Sequence, residues 1–412
     1  MNSRTLLLVS FAFGLLVAPV ADSAQPPAKV SQTPSPTPIP SPAPASTSTP
    51  SKEIDIPTGV FVALDPPDVG RGIGSGDGTK HVTWQHNPID GRLYSMGGDF
   101  LGLLGPESYR QEMYSLSIAE RFAHREDRNA GWRLEYPYCG PDGGVQPKSP
   151  DFVGWTWDSK RKLFWMVPGL MFVPGSPVCP DRTASWNDDP KYLMNHLMTF
   201  DPAAPVLTQR LKDRGGSYLK DRGETWMSTY DPKVDTLIRF GFAGCCGALV
   251  DIYDIQKATW SSKYLGMNSL RKDIQIGAEM QAVDYEARVI YAVDGNSGRL
   301  HRYRMDSHKL DDLGPVPGGP IAGNNAYCAW DSVNRVLLFF RLDISNLRGT
   351  PHVYHPDAVR WESPPVVTNP PGLYPSVRHA MVFDPYQNVL ALLGTTDKSN
   401  LRIWLYRYAN RR

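Results

Sequence analysis

The sequence has no dominant charge. Its 43 Lys and Arg are met by 42 Asp and Glu, and no long basic or acidic run disturbs the balance. That disfavours a nucleic-acid partner, because phosphate binding needs clustered cations. Cysteine is scarce, at five residues, and no Cys or His spacing resembles a zinc site. There is no serine nucleophile elbow, no Walker loop and no metalloprotease helix. No metal and no cofactor are expected. The apolar run Leu6–Val17 is too short to span a bilayer comfortably.

That run follows Arg4 and precedes the small-x-small site Ala21-Asp22-Ser23, so residues 1–23 read as a signal peptide. No Cys follows the site, which argues against a lipid anchor. The mature chain is expected to be secreted or periplasmic, with no membrane span after cleavage. Residues 24–54 are rich in Pro, Ser, Thr and Ala and nearly devoid of bulky apolar side chains. They cannot bury a core and read as an extended, polyproline-like linker.

What the remainder has in quantity is Gly, Pro and aromatic residues, including 11 Trp. This suits many short strands joined by turns. Residues 55–412 repeat one grammar six times. An alternating strand ends at Asn87, Asp158, Asp231, Asp284, Asp331 or Asp384, and a turn follows. The Asx side chain suits such a turn because it bonds nearby backbone N–H groups. A buried second strand comes next (RLYSM, KLFWMV, TLIRF, VIYAV, VLLFF, VLALL), then a third, usually carrying an aromatic. A fourth strand reads WRLEY, VLTQR, WSSKY, LDDLG and WESPP. The sixth unit lacks one, and Gly59–Leu64 supplies a spare near the start. Pairing the two closes a ring of six four-stranded units and removes its open edges. The fold class is therefore all-β, a six-bladed β-propeller closed by an N-terminal strand.

The spacings between aligned residues are 71, 73, 53, 47 and 53. The regular units match the roughly 50-residue kelch period. With Gly97-Gly98 after YSM and the fourth-strand Trp132, Trp260 and Trp361, the region resembles kelch-type propellers and, more widely, the central domain of galactose oxidase. That wider resemblance raises copper-radical chemistry, which the residues disfavour. The His379 that opens the sixth blade is preceded by Arg378, not Tyr. The Tyr beside Cys328 is Tyr327, on the opposite strand face, and no further domain follows blade six.

The long units extend second-to-third-strand and blade-exit loops, which emerge on one face. Elaborated loops on a rigid scaffold are where function concentrates. The inner-strand starts on that face, with the strand exits beside them, bring together His81, Glu224, Glu279, Asn325, Arg341, Arg378 and His379 as ligand-binding candidates. Carboxylates, imidazoles and Arg in such a mouth suit a sugar or a small anion. Trp84, Trp155 and Trp226 would stack on a sugar ring, although packing between blades is the stronger expectation. Cys139 and Cys179 both fall in loops of this face and are expected to pair. For the adjacent Cys245 and Cys246, a vicinal disulfide and two thiols fit equally. Cys328 reads as a small apolar core residue.

The sequence therefore points to a monomeric, exported propeller binding a carbohydrate or protein ligand. A carbohydrate-active enzyme is the alternative. A sugar mutarotase would use Glu279 or Glu224 as general acid/base with Arg378. A uronate lyase would use His81, His379 and Arg378.

Overall fold

The computed structural model describes residues 53–65, 77–80, 84–101, 109–137, 140–141, 154–167, 197–215, 227–243, 247–265, 280–321, 325–343, 345, 348–364, 367–373, 380–395 and 401–411. They form six antiparallel sheets arranged as a propeller. From the inner strand outwards, blade 1 runs Trp84–Asn87, Arg92–Leu101, Tyr109–Leu116 and Trp132–Tyr136, with Asp77–Lys80 also pairing the second strand. Blade 2 is Gly154–Asp158, Leu163–Val167, Leu197–Phe200 and Leu211–Gly215. Blade 3 is Met227–Asp231, Thr236–Ala243, Gly247–Asp254 and Thr259–Tyr264. Blade 4 is Gln281–Asp284, Val289–Asp294, Arg299–Arg304 and Lys309–Pro315. Blade 5 is Ala326–Asp331, Val336–Asp343, Arg348–His355 and Arg360–Glu362. Blade 6 is Ala380–Asp384, Val389–Thr395 and Leu401–Tyr406, completed by Phe61–Leu64.

The six aligned Asx residues behave as their chemistry requires. All are buried at the end of an inner strand. Each side-chain oxygen accepts the backbone N–H two residues on, at 2.9–3.1 Å. The residue four positions on has a φ of +50° to +69° in every blade: Gly91, Lys162, Asp235, Arg288, Arg335 and Asn388. One left-handed residue, held by one Asx bond, thus makes the same tight turn six times.

Two expected details differ. VLTQR in blade 2 is not the outer strand, because Leu207–Arg210 forms one helical turn and the strand follows at Leu211. A second short helix, Ile118–Ala123, capped by Ser117, sits between the third and fourth strands of blade 1.

Five apolar clusters fill the seams between blades. One spans blades 3 to 5, and the others lie between blades 6 and 1, 5 and 6, 1 and 2, and 2 and 3. Blades 2 and 3 approach closely, and a Cβ on Gly154 would lie 1.9 Å from Ser228 Oγ.

Ring closure is as the sequence implies. Phe61–Leu64 runs antiparallel to the last strand, with Phe61 opposite Tyr406 and Leu64 opposite Ile403. The buried Arg407 guanidinium clamps the entering chain, donating to the carbonyls of Ile54 (2.7 Å), Ile56 (3.1 Å) and Gln387 (3.1 Å). Ile54 N donates to Gln387 Oε1 at 3.0 Å. The chain therefore enters beside the inner turn of blade 6.

Antiparallel order gives the ring two unlike faces. The Asx turns and the third-to-fourth-strand turns lie on one. The second-to-third-strand and blade-to-blade connections leave from the other.

Candidate functional site

Most sequence-derived candidates lie outside the described residues: His81, Glu224, Glu279, Arg378 and His379, with Trp226. The same holds for Cys139, Cys179, Cys245 and Cys246, so neither cysteine expectation is tested. Asn325 and Arg341 are described, and they sit together at the sector shared by blades 4 and 5.

Arg341 follows the apolar run of the second strand of blade 5. Its guanidinium turns to the chain arriving from blade 4 and donates to the carbonyls of Pro317 (3.2 Å), Gly319 (2.7 Å) and Pro320 (2.8 Å). A charged donor on neutral carbonyls contributes about 1.5–3 kcal/mol per bond when shielded. Arg341 thus braces the Pro317–Pro320 turn, a role that spacing did not suggest. Asn325 is buried just before the inner strand, and its carbonyl accepts Leu342 N at 2.9 Å. Blade 4 adds a tight turn at Asp294, whose carboxylate is buried and accepts from the N–H groups of Asn296 (3.1 Å) and Ser297 (3.3 Å) and from the Ser297 hydroxyl. Gly298, at φ +62°, abuts the Gly319–Pro320 backbone so closely that a Cβ would meet it at 2.3 Å. Asn296 and Ser297 remain exposed at the top of this turn. The sector is a braced platform displaying small polar groups.

A polar row in blade 3 escaped the sequence reading. Ser228, Arg239 and Asp251 are opposite one another across three strands, and Ser262 continues the row on the fourth. The first three are buried, and Ser262 Oγ donates to Asp251 at 2.7 Å. The readable signal was Arg239, a charge where strand alternation asks for a buried side chain.

Of the three candidate tryptophans, the two described pack rather than display. Trp84 meets Trp132 edge-on at 5.9 Å, and Trp155 stacks on Phe164 at 4.7 Å. Both are buried. Cys328 is buried in the inner strand of blade 5.

On the turn face, charges are spent on each other across blade seams. Arg161 bridges Asp158 of its own blade and Asp235 of blade 3, making two 2.8 Å bonds to the latter. Tyr230 adds its hydroxyl to Asp235 at 2.8 Å. The Arg161 guanidinium holds the Asp235 carboxyl far below the usual carboxylate range. Arg288 of blade 4 bonds Asp231 of blade 3 at 2.6 Å, and Arg335 of blade 5 bonds Glu286 of blade 4. Tyr386 of blade 6 donates to the Pro88 carbonyl of blade 1. This face is a fastening.

Among the described residues, no three His, Cys, Asp or Glu side chains gather to hold a metal ion. The described part of the second face therefore presents hydrogen-bonding groups on rigid supports. That arrangement suits recognition of a polar ligand.

No family model matches the chain, and no curated protein matches it. Among solved structures it is similar to YjhT, at 9% identity and TM-score 0.48 over 84% of this chain and 98% of that one. It is similar to an auxiliary nutrient binding protein from Bacteroides thetaiotaomicron at 9% identity and TM-score 0.47, over 84% and 76% of the two chains. U3-55K gives 7% identity and TM-score 0.46, over 84% and 98%. At these values the likeness carries no functional argument.

Proposed function

We propose that this chain is a binding propeller whose ligand, a carbohydrate or a protein, docks on the face opposite its Asx turns. The reading rests chiefly on the contrast between the faces. The turn face commits its Arg and Asp residues to cross-blade bonds. The opposite face carries the braced Pro317–Pro320 platform and is where the long connections 102–108, 142–153, 168–196, 216–226 and 266–279 depart. We further infer an exported, monomeric protein on a Pro-rich tether, and a diverged kelch-type ring. In support of the latter, Gly97-Gly98 falls where the pairing of the second and third strands of blade 1 slips register.

The test is a panel of neutral glycans, uronates and candidate protein partners, read by thermal shift. Arg378→Ala combined with Glu279→Ala should abolish ligand-induced stabilisation and leave the unliganded melting temperature unchanged. Undiminished stabilisation in that double variant would move the site away from the channel mouth. Growth of ultraviolet absorbance from an unsaturated uronate product would make the protein a lyase instead.

A further inference from the structure

The seam between blades 6 and 1, where the ring closes, sets a half-buried imidazole against a buried carboxyl. Asp384 is the Asx residue of blade 6. Its Oδ1 accepts the N–H groups of Tyr386 (2.9 Å) and Gln387 (3.1 Å). Its Oδ2 is buried with no hydrogen-bond partner. In blades 2, 3 and 5 the equivalent outer oxygen is bonded, to Arg161 and Trp165, to Arg288, and to Asn334. Across the seam lies His86, from the inner strand of blade 1. Its Nε2 is 3.8 Å from Asp384 Oδ1 and is likewise buried without a hydrogen-bond partner. Tyr386 covers the pair, its ring edge-on to the imidazole at 5.1 Å.

The imidazole nitrogen faces the carboxyl, and each group keeps one buried atom, Nε2 and Oδ2, without a bond. We propose that His86 and Asp384 hold one proton between them in the folded ring, resident on the carboxyl, with the neighbouring His86 Nε2 left neutral across the closing seam. The other ionisable groups on the elements packed against the pair have partners of their own. Arg92 bonds Ser115, and Asp90 bonds Tyr94. Asp158 of blade 2 bonds Arg161, and Asp331 of blade 5 bonds Asn334. Arg411 from the chain end bonds the Tyr386 carbonyl.

Burial acts on both groups in the direction this requires. It lifts Asp384 to about 6 and lowers His86 to about 4. In the unfolded chain the order is reversed, with the carboxyl near 3.8 and the imidazole near 6.5. Taken alone, the raised carboxyl contributes stability that fades as pH rises from about 4 through about 6. The lowered imidazole contributes stability that fades as pH falls from about 6.5 towards 4. Between about pH 4 and 6 the unfolded chain keeps the proton on His86 and the folded ring keeps it on Asp384. The number bound is the same, so the pair adds no pH slope to folding. The seam is built to be indifferent to acidity in that window.

Single substitutions should uncover the two opposed slopes. Relative to the parent, His86→Gln should fold less favourably as pH rises from 4 to 6. Asp384→Asn, which keeps the turn-capping oxygen, should fold more favourably over the same range. Each slope should approach a tenfold change in the folding constant per pH unit. Denaturant melts of the parent and both variants at pH 4, 5 and 6 read this directly. Slopes parallel to the parent, or of one sign in both variants, would overturn the proposal. Should either variant fail to fold, the imidazole nitrogen resonances of the parent decide it. A neutral His86 at pH 5 supports the shared proton, and an imidazolium at pH 5 refutes it.

Discussion

At the scale of single residues, the ring is written in a five-residue phrase that starts with Asx and ends in a left-handed residue. The Asx half was legible because its side chain has one job at a strand end. The cross-blade partners were not. Arg161 and Asp235 lie 74 residues apart, and nothing in local periodicity couples them. Asp235→Asn should cost about 2 kcal/mol at neutral pH, less than a fully buried pair because Arg161 stays a third exposed. Because this carboxyl is depressed, its contribution is present above the ordinary carboxylate range and fades as pH falls below about 4. In urea melts the gap between the two proteins should therefore narrow from pH 7 to pH 3. Gly154 offers a steric counterpart. Gly154→Ala drives a methyl into Ser228 and should lower stability by about 1–3 kcal/mol. Adding Ser228→Gly should restore most of it, and failure to do so would mean the seam is looser than its geometry.

At the scale of elements, strand order and ring closure could be read from the sequence because each blade must bury two faces in a fixed alternation. Where local chemistry lacked that constraint, the reading slipped, as at Leu207–Arg210, which coils before the outer strand of blade 2 begins. Of the candidate site residues only Asn325 and Arg341 are described; the others fall in stretches of sequence where no periodicity constrains a side chain, and Arg341 proved to be a brace. Closure itself is testable. A chain beginning at Glu53 should melt like the full-length protein, because the clamp on Ile54 and Ile56 is intact. A chain beginning at Asp65 loses the outer strand of blade 6, bares the edge of Leu401–Tyr406 and should associate or precipitate. Light scattering on the two truncations decides this. Arg407→Met, which abandons four carbonyls, should destabilise the ring by about 2–4 kcal/mol in the same melts.

At the scale of the whole ring, the chain's entry and exit share the turn face. Glu53 reaches both Arg407 and Arg411 there, at 3.7 and 3.4 Å. A folded domain fused after Arg412 should consequently leave ligand-induced stabilisation intact, whereas one inserted between Thr396 and Asn400 should abolish it. Thermal shift with any ligand from the panel makes the comparison.

The closing strand also has a mechanical meaning. Tension applied at Glu53 would load Phe61–Leu64 along its own length, parallel to Leu401–Tyr406. Bonds loaded that way are sheared together instead of unzipped one at a time, and the Arg407 clamp stands ahead of them. Force applied at Glu53 therefore meets the Arg407 clamp before it reaches the closing strand.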